Sequence, residues 1–290
     1  MHKWIWMTLA LSTACWAQSA STPVGIVTFA QGDASVIDAR AKGPVKLEIA
    51  DLLHDGSRVI TGANGKVNFV SCAQSLGAQA QPGSEIVFAN NSYEVKRGKV
   101  EQVHKVPSCR IPQASVAGRD AHLGGTNMRG GDAVTMLLLS PVGTSVMPDR
   151  VAFSWKPVDG ATVYRVAIRD DKGNDISEIE SKTNSLSYAD AKKMEPGKSY
   201  RWRVTALQGD DVLSSASAPM KVISSEDMAR IEAVRKSSQS ADEEHLMLGM
   251  LYEELDAPDL ALSEYTRLPS TDPASWIARE MAALRARLSR

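Results

Sequence analysis

Closely spaced turn residues most limit what this chain can fold into. Between Val24 and Pro112, the pairs Asp55-Gly56, Asn64-Gly65, Pro82-Gly83 and Arg97-Gly98 interrupt the sequence. The segments between such turns are too short for stable helices. They are rich in β-branched and aromatic residues and read VGIVTF, ASVIDA, RVIT, KVNFV, EIVFA, SYEVKR and KVEQV. This composition predicts an all-β region over residues 24–112.

The pair Asn64-Gly65 has two possible interpretations, a turn between two strands or part of a phosphate-binding loop. A phosphate loop needs Gly-x-x-x-x-Gly-Lys-Ser/Thr followed by a helix. Here Lys66 leads directly into Val67-Asn68-Phe69-Val70, which alternates like a strand. The sequence therefore predicts a hairpin that joins RVIT to KVNFV, with both central turn residues at positive φ.

The first 20 residues have the pattern of a secretory signal peptide. One cation, Lys3, precedes an apolar run that ends at Ala14, and Cys15-Trp16-Ala17 fits the small-x-small cleavage pattern. The run is too short to cross a bilayer. We expect an exported, periplasmic bacterial protein. Two alternatives stay open, an uncleaved anchor and a lipid on Cys15, and either would associate the protein with the inner or outer membrane.

Export gives the remaining cysteines a structural interpretation. Without the leader, the chain keeps Cys72 and Cys109. An even number of cysteines in an oxidising compartment indicates a disulfide. A metal pair is the alternative, but the spacing is not Cys-x-x-Cys and no histidine cluster accompanies it.

Several glycine and valine positions of this β region form a family-like pattern. Gly25-x-Val27, Leu53-x-Asp55-Gly56-x-x-Val59-x-Thr61-Gly62 and Gly65-x-Val67-x-Phe69 resemble the FecR domain. The resemblance implies an extracytoplasmic β domain. FecR-type sensors carry a membrane helix before this domain, where this sequence has the predicted signal peptide. That departure disfavours direct transmembrane signalling.

A second β region follows a linker predicted at residues 113–139, which is small, polar and glycine-rich. Alternation then places one set of residues on a single face of each strand. These are Val151, Phe153 and Trp155, then Tyr164, Val166 and Ile168, then Tyr200, Trp202, Val204 and Ala206. The pattern predicts antiparallel strands in a sandwich over residues 140–224.

The same region resembles a fibronectin type III domain through Met194-x-Pro196-Gly197-x-x-Tyr200-x-Trp202. The resemblance implies that Tyr200 is a tyrosine corner whose hydroxyl bonds to the preceding loop. It also implies that Trp155 is a buried core residue.

Residues 225–290 change to a helical period, opened by the capping pair Ser224 and Asp227. Leu248-Gly249-x-x-Tyr252, Ala261-x-x-x-Tyr265 and Pro273 resemble a tetratricopeptide repeat. The small residues Gly249 and Ala261 would let two helices approach. Pro258 and Pro273 would each stand in the first turn of a helix. We expect a partner protein to bind around Tyr252 and Tyr265.

Motifs that carry chemistry are not found in the sequence. The histidines of the mature chain, His54, His104, His122 and His245, do not have metal-ligand spacing, and Gly-x-Ser-x-Gly is absent. The acidic stretch from Asp170 to Asp175 lacks the order and closing glutamate of a calcium loop and predicts a polar hairpin turn. We therefore expect no enzyme, no cofactor, no metal and no small-molecule substrate.

The charge balance bears on the kind of partner. The formal net charge is −1, which gives no support to nucleic-acid binding. Lys96, Arg97 and Lys99 form the densest basic stretch, which fits either an anionic envelope glycan or a solvated hairpin.

The sequence as a whole predicts a multidomain, mainly β protein with a FecR-like domain, a fibronectin type III-like sandwich and a helical C-terminal segment. The predicted function is a non-catalytic envelope adaptor. The alternative is a FecR-like sensory or regulatory protein.

Overall fold

A computed structural model describes residues 22–38, 43–112, 136–188, 194–269 and 272–289. These residues form a mainly β structure in which four sheets precede the helices. The predicted signal peptide, residues 113–135 of the predicted linker and His122 lie outside the described residues. Within the described ranges, no helix combines the length and the apolar character that a membrane span requires.

The first β unit (residues 22–112) consists of two five-stranded sheets that share one core. Its strands are β1 Pro23–Gln31, β2 Ala34–Ile37, β3 Val45–Lys46, β4 Leu52–His54, β5 Arg58–Thr61, β6 Lys66–Ser71, β7 Leu76–Ala80, β8 Glu85–Ala89, β9 Ser92–Arg97 and β10 Val100–Lys105. The strand orders are β10-β7-β6-β1-β4 and β3-β2-β5-β8-β9. Phe69 of one sheet meets Phe88 of the other edge to face, with ring centroids 5.2 Å apart.

The hairpin predicted at Asn64-Gly65 is wrong. β5 pairs with β2 and β8, whereas β6 pairs with β1 and β7, so the two strands belong to different sheets. Neither turn residue has a positive φ. A Cβ at Gly65 would lie 2.0 Å from the carbonyl oxygen of Asp33. Glycine is present there because the loop packs closely against another backbone as it crosses between sheets.

The second β unit (residues 136–223) has a three-stranded sheet and a five-stranded sheet, ordered β11-β13-β16 and β12-β18-β17-β14-β15. Its strands are β11 Leu138–Ser140, β12 Ser145–Val146, β13 Val151–Trp155, β14 Val163–Asp170, β15 Asp175–Ser181, β16 Ser185–Tyr188, β17 Ser199–Gln208 and β18 Asp211–Val222. Met136 and Leu138 are buried in this unit. The predicted linker of residues 113–139 therefore extends too far, because apolar burial resumes before residue 139.

Aromatic residues fill the core of the second β unit. Trp202 is fully buried, with its ring centroid 4.9 Å from Phe153 and 6.3 Å from Trp155. Its Nε1 donates to the carbonyl oxygen of Pro141 at 2.7 Å. The backbone N–H of Glu195 donates to the Tyr200 hydroxyl at 2.8 Å, which is a bond to the preceding loop.

The helical segment (residues 224–289) contains α1 Ser225–Ser237, α2 Ala241–Glu254, α3 Pro258–Tyr265 and α4 Trp276–Leu288. Ser224 caps α1 by accepting from the N–H of Asp227, as the sequence predicts. Pro258 begins α3, but the expectation for Pro273 is wrong. Ser275 caps α4, so that proline precedes the helix instead of occupying its first turn.

The helices pack against both β units. Their apolar cluster includes Ile26, Val70 and Val106 of the first unit, and Met147 and Ile223 of the second. The backbone N–H of Ser145 also donates to the carbonyl oxygen of Asp256, which follows α2. The helical segment therefore fixes the position of each β unit relative to the other.

Candidate functional site

The segment that leaves the first β unit lies against the helices. Val106 is buried, and Cys109 and Ile111 are partly buried, in the apolar cluster of the helical segment. Cys109 is bonded to Cys72 with an S–S distance of 2.04 Å. The disulfide therefore joins the end of β6 to the segment that covers the helices.

Hydrogen bonds from the helices also hold this segment, at Ser108 and at Pro112. Arg230 Nη2 donates to Ser108 Oγ at 3.2 Å, and Ser108 Oγ donates to Glu254 Oε2 at 3.1 Å. Trp276 Nε1 donates to the carbonyl oxygen of Pro112 at 3.2 Å. A part of the helical surface that a repeat protein would offer to a partner is thus occupied by this chain itself.

The partner site predicted around Tyr252 and Tyr265 is wrong, because these residues are only 1% and 0% exposed. Tyr265 packs on Gly249, where a Cβ would lie 2.2 Å from its ring, and Ala261 is equally buried. The small residues accommodate an aromatic ring between the helices. The two tyrosines stabilise the core of the helical segment and are not available to a partner.

A pair of carboxyl groups lies under Tyr265. The Tyr265 hydroxyl donates to Glu253 Oε1 at 2.7 Å, and Glu253 of α2 is hydrogen-bonded to Glu280 of α4. Burial raises the pKa of Glu253 to about 8 and also raises the pKa of Glu280. The pair therefore retains a proton at neutral pH, and that proton lies between the two carboxyl groups. Because Glu280 is 4% exposed, the ionisation of the pair is coupled to the stability of the helical segment.

A buried contact between a histidine and a carboxylate connects the first β unit to α2. His104 Nε2 of β10 lies 2.7 Å from Glu243 Oε1, with side-chain exposures of 12% and 2%. The other Glu243 oxygen, Oε2, accepts from the backbone N–H of Gln239 at 3.1 Å. Gly77 is packed against the histidine ring. The contact orients the first unit on the helices.

An open cleft of about 240 Å³ lies where these two parts meet. It is lined by Phe29, Ala30, Lys46, Leu47, Glu48, Ile49, Asp242 and Pro269. The walls are mostly apolar, with one cation and two carboxylates. β3 borders the cleft and is the edge strand of its sheet, and its Val45 is 56% exposed. Such an arrangement can take an apolar side chain and pair with an extended backbone.

A partly buried acid, Asp51, holds the loop that forms one wall of the cleft. Asp51 Oδ2 accepts from the backbone N–H of Glu48 at 2.8 Å. Burial raises the pKa of Asp51 to about 6, and the charges of Glu48 and Asp272 act in the same direction. The hydrogen bond between Glu48 and Asp51 therefore stabilises this wall of the cleft.

The basic stretch of the first unit is exposed but partly compensated. Lys96 Nζ lies 2.5 Å from Glu94 Oε2, and Lys99 Nζ lies 2.6 Å from Glu101 Oε1. Arg97 lies opposite Glu85 in the β8–β9 register. The structure places these three cations at the end of β9 and in the following turn, next to acidic neighbours.

The remaining candidate positions have local structural partners. His54 lies 3.7 Å from Asp38, and His245 Nδ1 lies 2.8 Å from Glu264 Oε2. Asp170 accepts hydrogen bonds from Asn174 and the backbone of Lys172, as a polar turn does. Within the described ranges, no group of three or more His, Cys, Asp or Glu residues is placed to hold a metal ion.

Sequence reasoning missed three features: the cleft, the carboxyl pair and an arginine face on the second unit. Arg201 and Arg203 alternate with buried residues on β17, so their exposure is readable from the sequence. Their position beside Arg169 follows from the register of β14 and β17, which the sequence does not contain. Glu253 and Glu280 come from separate helices, and helical periodicity gives no sign of their contact.

Comparisons with known proteins identify no family for this chain. No protein-family model matches it. No curated protein matches it either.

Solved structures give partial likenesses. The fn3 domain of human collagen alpha-1(XX) chain is 20% identical over 34% of this chain and 95% of that domain, with a TM-score of 0.26. A β-glucuronidase from Ruminococcus gnavus, in complex with D-glucaro-d-lactam, is 15% identical over 30% of this chain, with a TM-score of 0.22. The match spans only 15% of that enzyme. Likenesses at these scores carry no argument about activity.

Proposed function

We propose that this protein is a non-catalytic adaptor of the bacterial cell envelope that binds an extended peptide of a partner protein. The cleft between the first β unit and the helices carries the proposal. Its apolar walls suit a side chain of the peptide, and the exposed edge of β3 suits its backbone. Lys46 and Asp242 supply charges of both signs at the rim, which favour one direction of the peptide.

Assignment of the units to known modules belongs to the same proposal. Two five-stranded sheets with the FecR-like glycine pattern support a FecR-like first unit. The sheet orders of the second unit and the Tyr200 contact support a fibronectin type III-like fold. The α2–α3 pair with Gly249 against Tyr265 supports a repeat-like helical hairpin.

Export to the periplasm is also proposed. The disulfide supports it, because such bonds form and persist in oxidising compartments. Cell fractionation with N-terminal sequencing of the mature protein tests it. A reduced protein in the cytosol that retains residues 1–20 would contradict export.

Site-specific crosslinking in cells tests the peptide site. A photoreactive residue in place of Lys46 at the cleft should capture one partner, while the same residue in place of Lys172, in the β14–β15 turn, should not. Ala30→Trp fills the cleft and should abolish the capture. Ala229→Trp, on the exposed surface of α1, is the matched control and should preserve it.

A capture that survives Ala30→Trp would contradict the cleft as the binding site. Loss of capture in both tryptophan variants would also contradict the cleft as the binding site, because the loss would then not depend on where the tryptophan lies. The unfolding midpoint of each variant shows whether the protein is still folded.

A further inference from the structure

The outer face of the five-stranded sheet in the second β unit carries a group of three arginines, two of which have no carboxylate partner in the described ranges. Arg169 of β14 and Arg201 and Arg203 of β17 line a surface depression of about 70 Å³ together with Ala167. Arg169 is directly opposite Arg201, and Ala167 is directly opposite Arg203. Like charges placed directly opposite each other on a sheet destabilise it. Arg201 therefore faces a like charge across the strand pair, which Asp175 offsets in part.

Two arginines of the neighbouring strand form ion pairs with carboxylates. Arg165 lies 3.4 Å from both Glu178 and Glu180, and Arg169 lies 2.6 Å from Asp175. For Arg201 and Arg203, by contrast, no carboxylate of the described ranges is within ion-pair distance. Two guanidinium groups are thus available to an external anion.

The spacing and surroundings of these arginines limit the ligand. Side chains two residues apart on one strand are separated by about 7 Å, and those directly opposite by about 5 Å. On this face the residues beside Arg201 and Arg203 are Ala167, Arg169, Thr205, Ser217 and Pro219, and Glu178 lies one strand further out, opposite Ala167. Aromatic side chains, on which nucleic-acid bases stack, are not among them. A row of oxyanions, spaced along a flexible polymer, fits this surface best.

We propose that Arg201 and Arg203, supported by Arg169, form a binding site for the carboxylate or phosphate groups of an acidic polysaccharide. The planar guanidinium can bond two oxygens of one such group. This site is separate from the cleft and does not depend on it. Together the two sites would link a peptide partner to an envelope polymer.

Binding of defined polymers to the full-length mature protein tests this proposal. Polygalacturonate carries carboxylates and phosphomannan carries phosphates, so the pair identifies the oxyanion. Methyl-esterified polygalacturonate is the uncharged control. Binding to at least one acidic polymer, weakened by salt and absent for the ester, is expected. Binding to neither acidic polymer would overturn the site.

Two double variants with equal charge change locate the binding. Arg201→Gln with Arg203→Gln should weaken binding by about tenfold or more, because charged hydrogen bonds are lost. Lys96→Gln with Arg97→Gln, on the first unit, should leave it within about twofold. Equal losses in both variants would overturn the site, since binding would then follow net charge alone. Equally tight binding of single-stranded DNA would overturn it as well.

A charge-preserving variant covers the case in which the glutamine variant does not fold. Arg201→Lys with Arg203→Lys keeps both charges but removes the forked donor geometry. It should fold like the native protein and bind the acidic polymer several-fold more weakly. Undiminished binding by this folded variant would contradict guanidinium recognition.

Discussion

The two β units differ in how their cores relate to the helices. The apolar core of the second unit contains only residues of that unit, from Met136 to Val222. The first unit has such a core as well, but it also contributes Ile26, Val70 and Val106 to the cluster of the helical segment. His104 adds a buried contact of 2.7 Å to the Glu243 carboxylate of α2.

This difference indicates that the first unit and the helices stabilise each other. Of the described residues of the second unit, only Met147 and Ile223 join the apolar cluster of the helices, and Ser140 and Ser145 add hydrogen bonds to Asp259 and Asp256. We therefore expect two cooperative bodies, one made of the first unit with the helices and one made of the second unit alone.

Removal of a central tryptophan should unfold the second unit alone. Trp202→Ala leaves a cavity between Phe153 and Trp155 and removes the bond to Pro141, which should cost about 3–5 kcal/mol. Hydrogen exchange measured by mass spectrometry should show faster exchange in β14 and β17. Exchange in β6 and α2 should stay at the native rate. Equal acceleration in β6 would disprove the two-body division.

Loss of the disulfide should destabilise the first unit and the helices and leave the second unit unchanged. Cys72→Ser should destabilise the first unit by roughly 3–4 kcal/mol, from loop entropy, and should also loosen α1 and α2. Cys109→Ser should have the same effect, and the double variant should add little because one bond is lost in each case. Urea midpoints and free-thiol titration measure this. Additive losses, or free thiols in the native protein, would argue against the bond.

The alternation of apolar residues and the turn residues predicted most strands. The strands that were missed have a physical explanation. The pattern in RVAFSW and SYRWRVTA placed Trp155 and Trp202 in a core, as the structure shows. β7, with the sequence LGAQA, was missed because alanine and glycine have low β propensity. It forms because Ala78 and Ala80 are small enough to pack beneath the other sheet.

Contacts between units could not be predicted from local patterns. Tyr252 and Tyr265 have the spacing of a repeat surface, but the segment around Cys109 and the neighbouring helices cover that region. The cleft depends on where Lys46 and Asp242 meet, and these residues come from different units. Such positions depend on packing between elements distant in sequence.

The protonated carboxyl pair should make the first body sensitive to pH. The pKa of Glu253 is about 8 in the folded protein against 4.5 for the unfolded chain, so the folded state retains a proton that the unfolded state releases. The contribution of this carboxyl to stability is then greatest below pH 4.5, falls by up to about 1 kcal/mol per pH unit, and levels off above pH 8. Urea midpoints of β6 and α2 between pH 5 and 9 should show this fall, while those of β17 should not.

Glu253→Gln should remove this contribution between pH 4.5 and 8, so that little slope remains between pH 6 and 8. Asp51, with a pKa of about 6, contributes in the same direction at lower pH and should remain. Glutamine stays neutral and can still bond both Tyr265 and Glu280. Glu226→Gln, in the exposed first turn of α1, is the matched control and should keep the native slope. An unchanged slope in the Glu253 variant would show that this carboxyl does not control the stability.

The smallest expected effect is a difference in stability between two variants of the second unit that each lose a tyrosine hydroxyl. Tyr200→Phe should cost about 1 kcal/mol, because the backbone N–H of Glu195 loses its acceptor. Tyr188→Phe should be neutral or slightly stabilising, because the Tyr188 hydroxyl is buried without a hydrogen-bond partner in the described ranges. Urea midpoints of β17 measure both. Equal midpoints for the two variants would mean that the Tyr200 bond does not stabilise the second unit, whose independence would then depend on apolar packing alone.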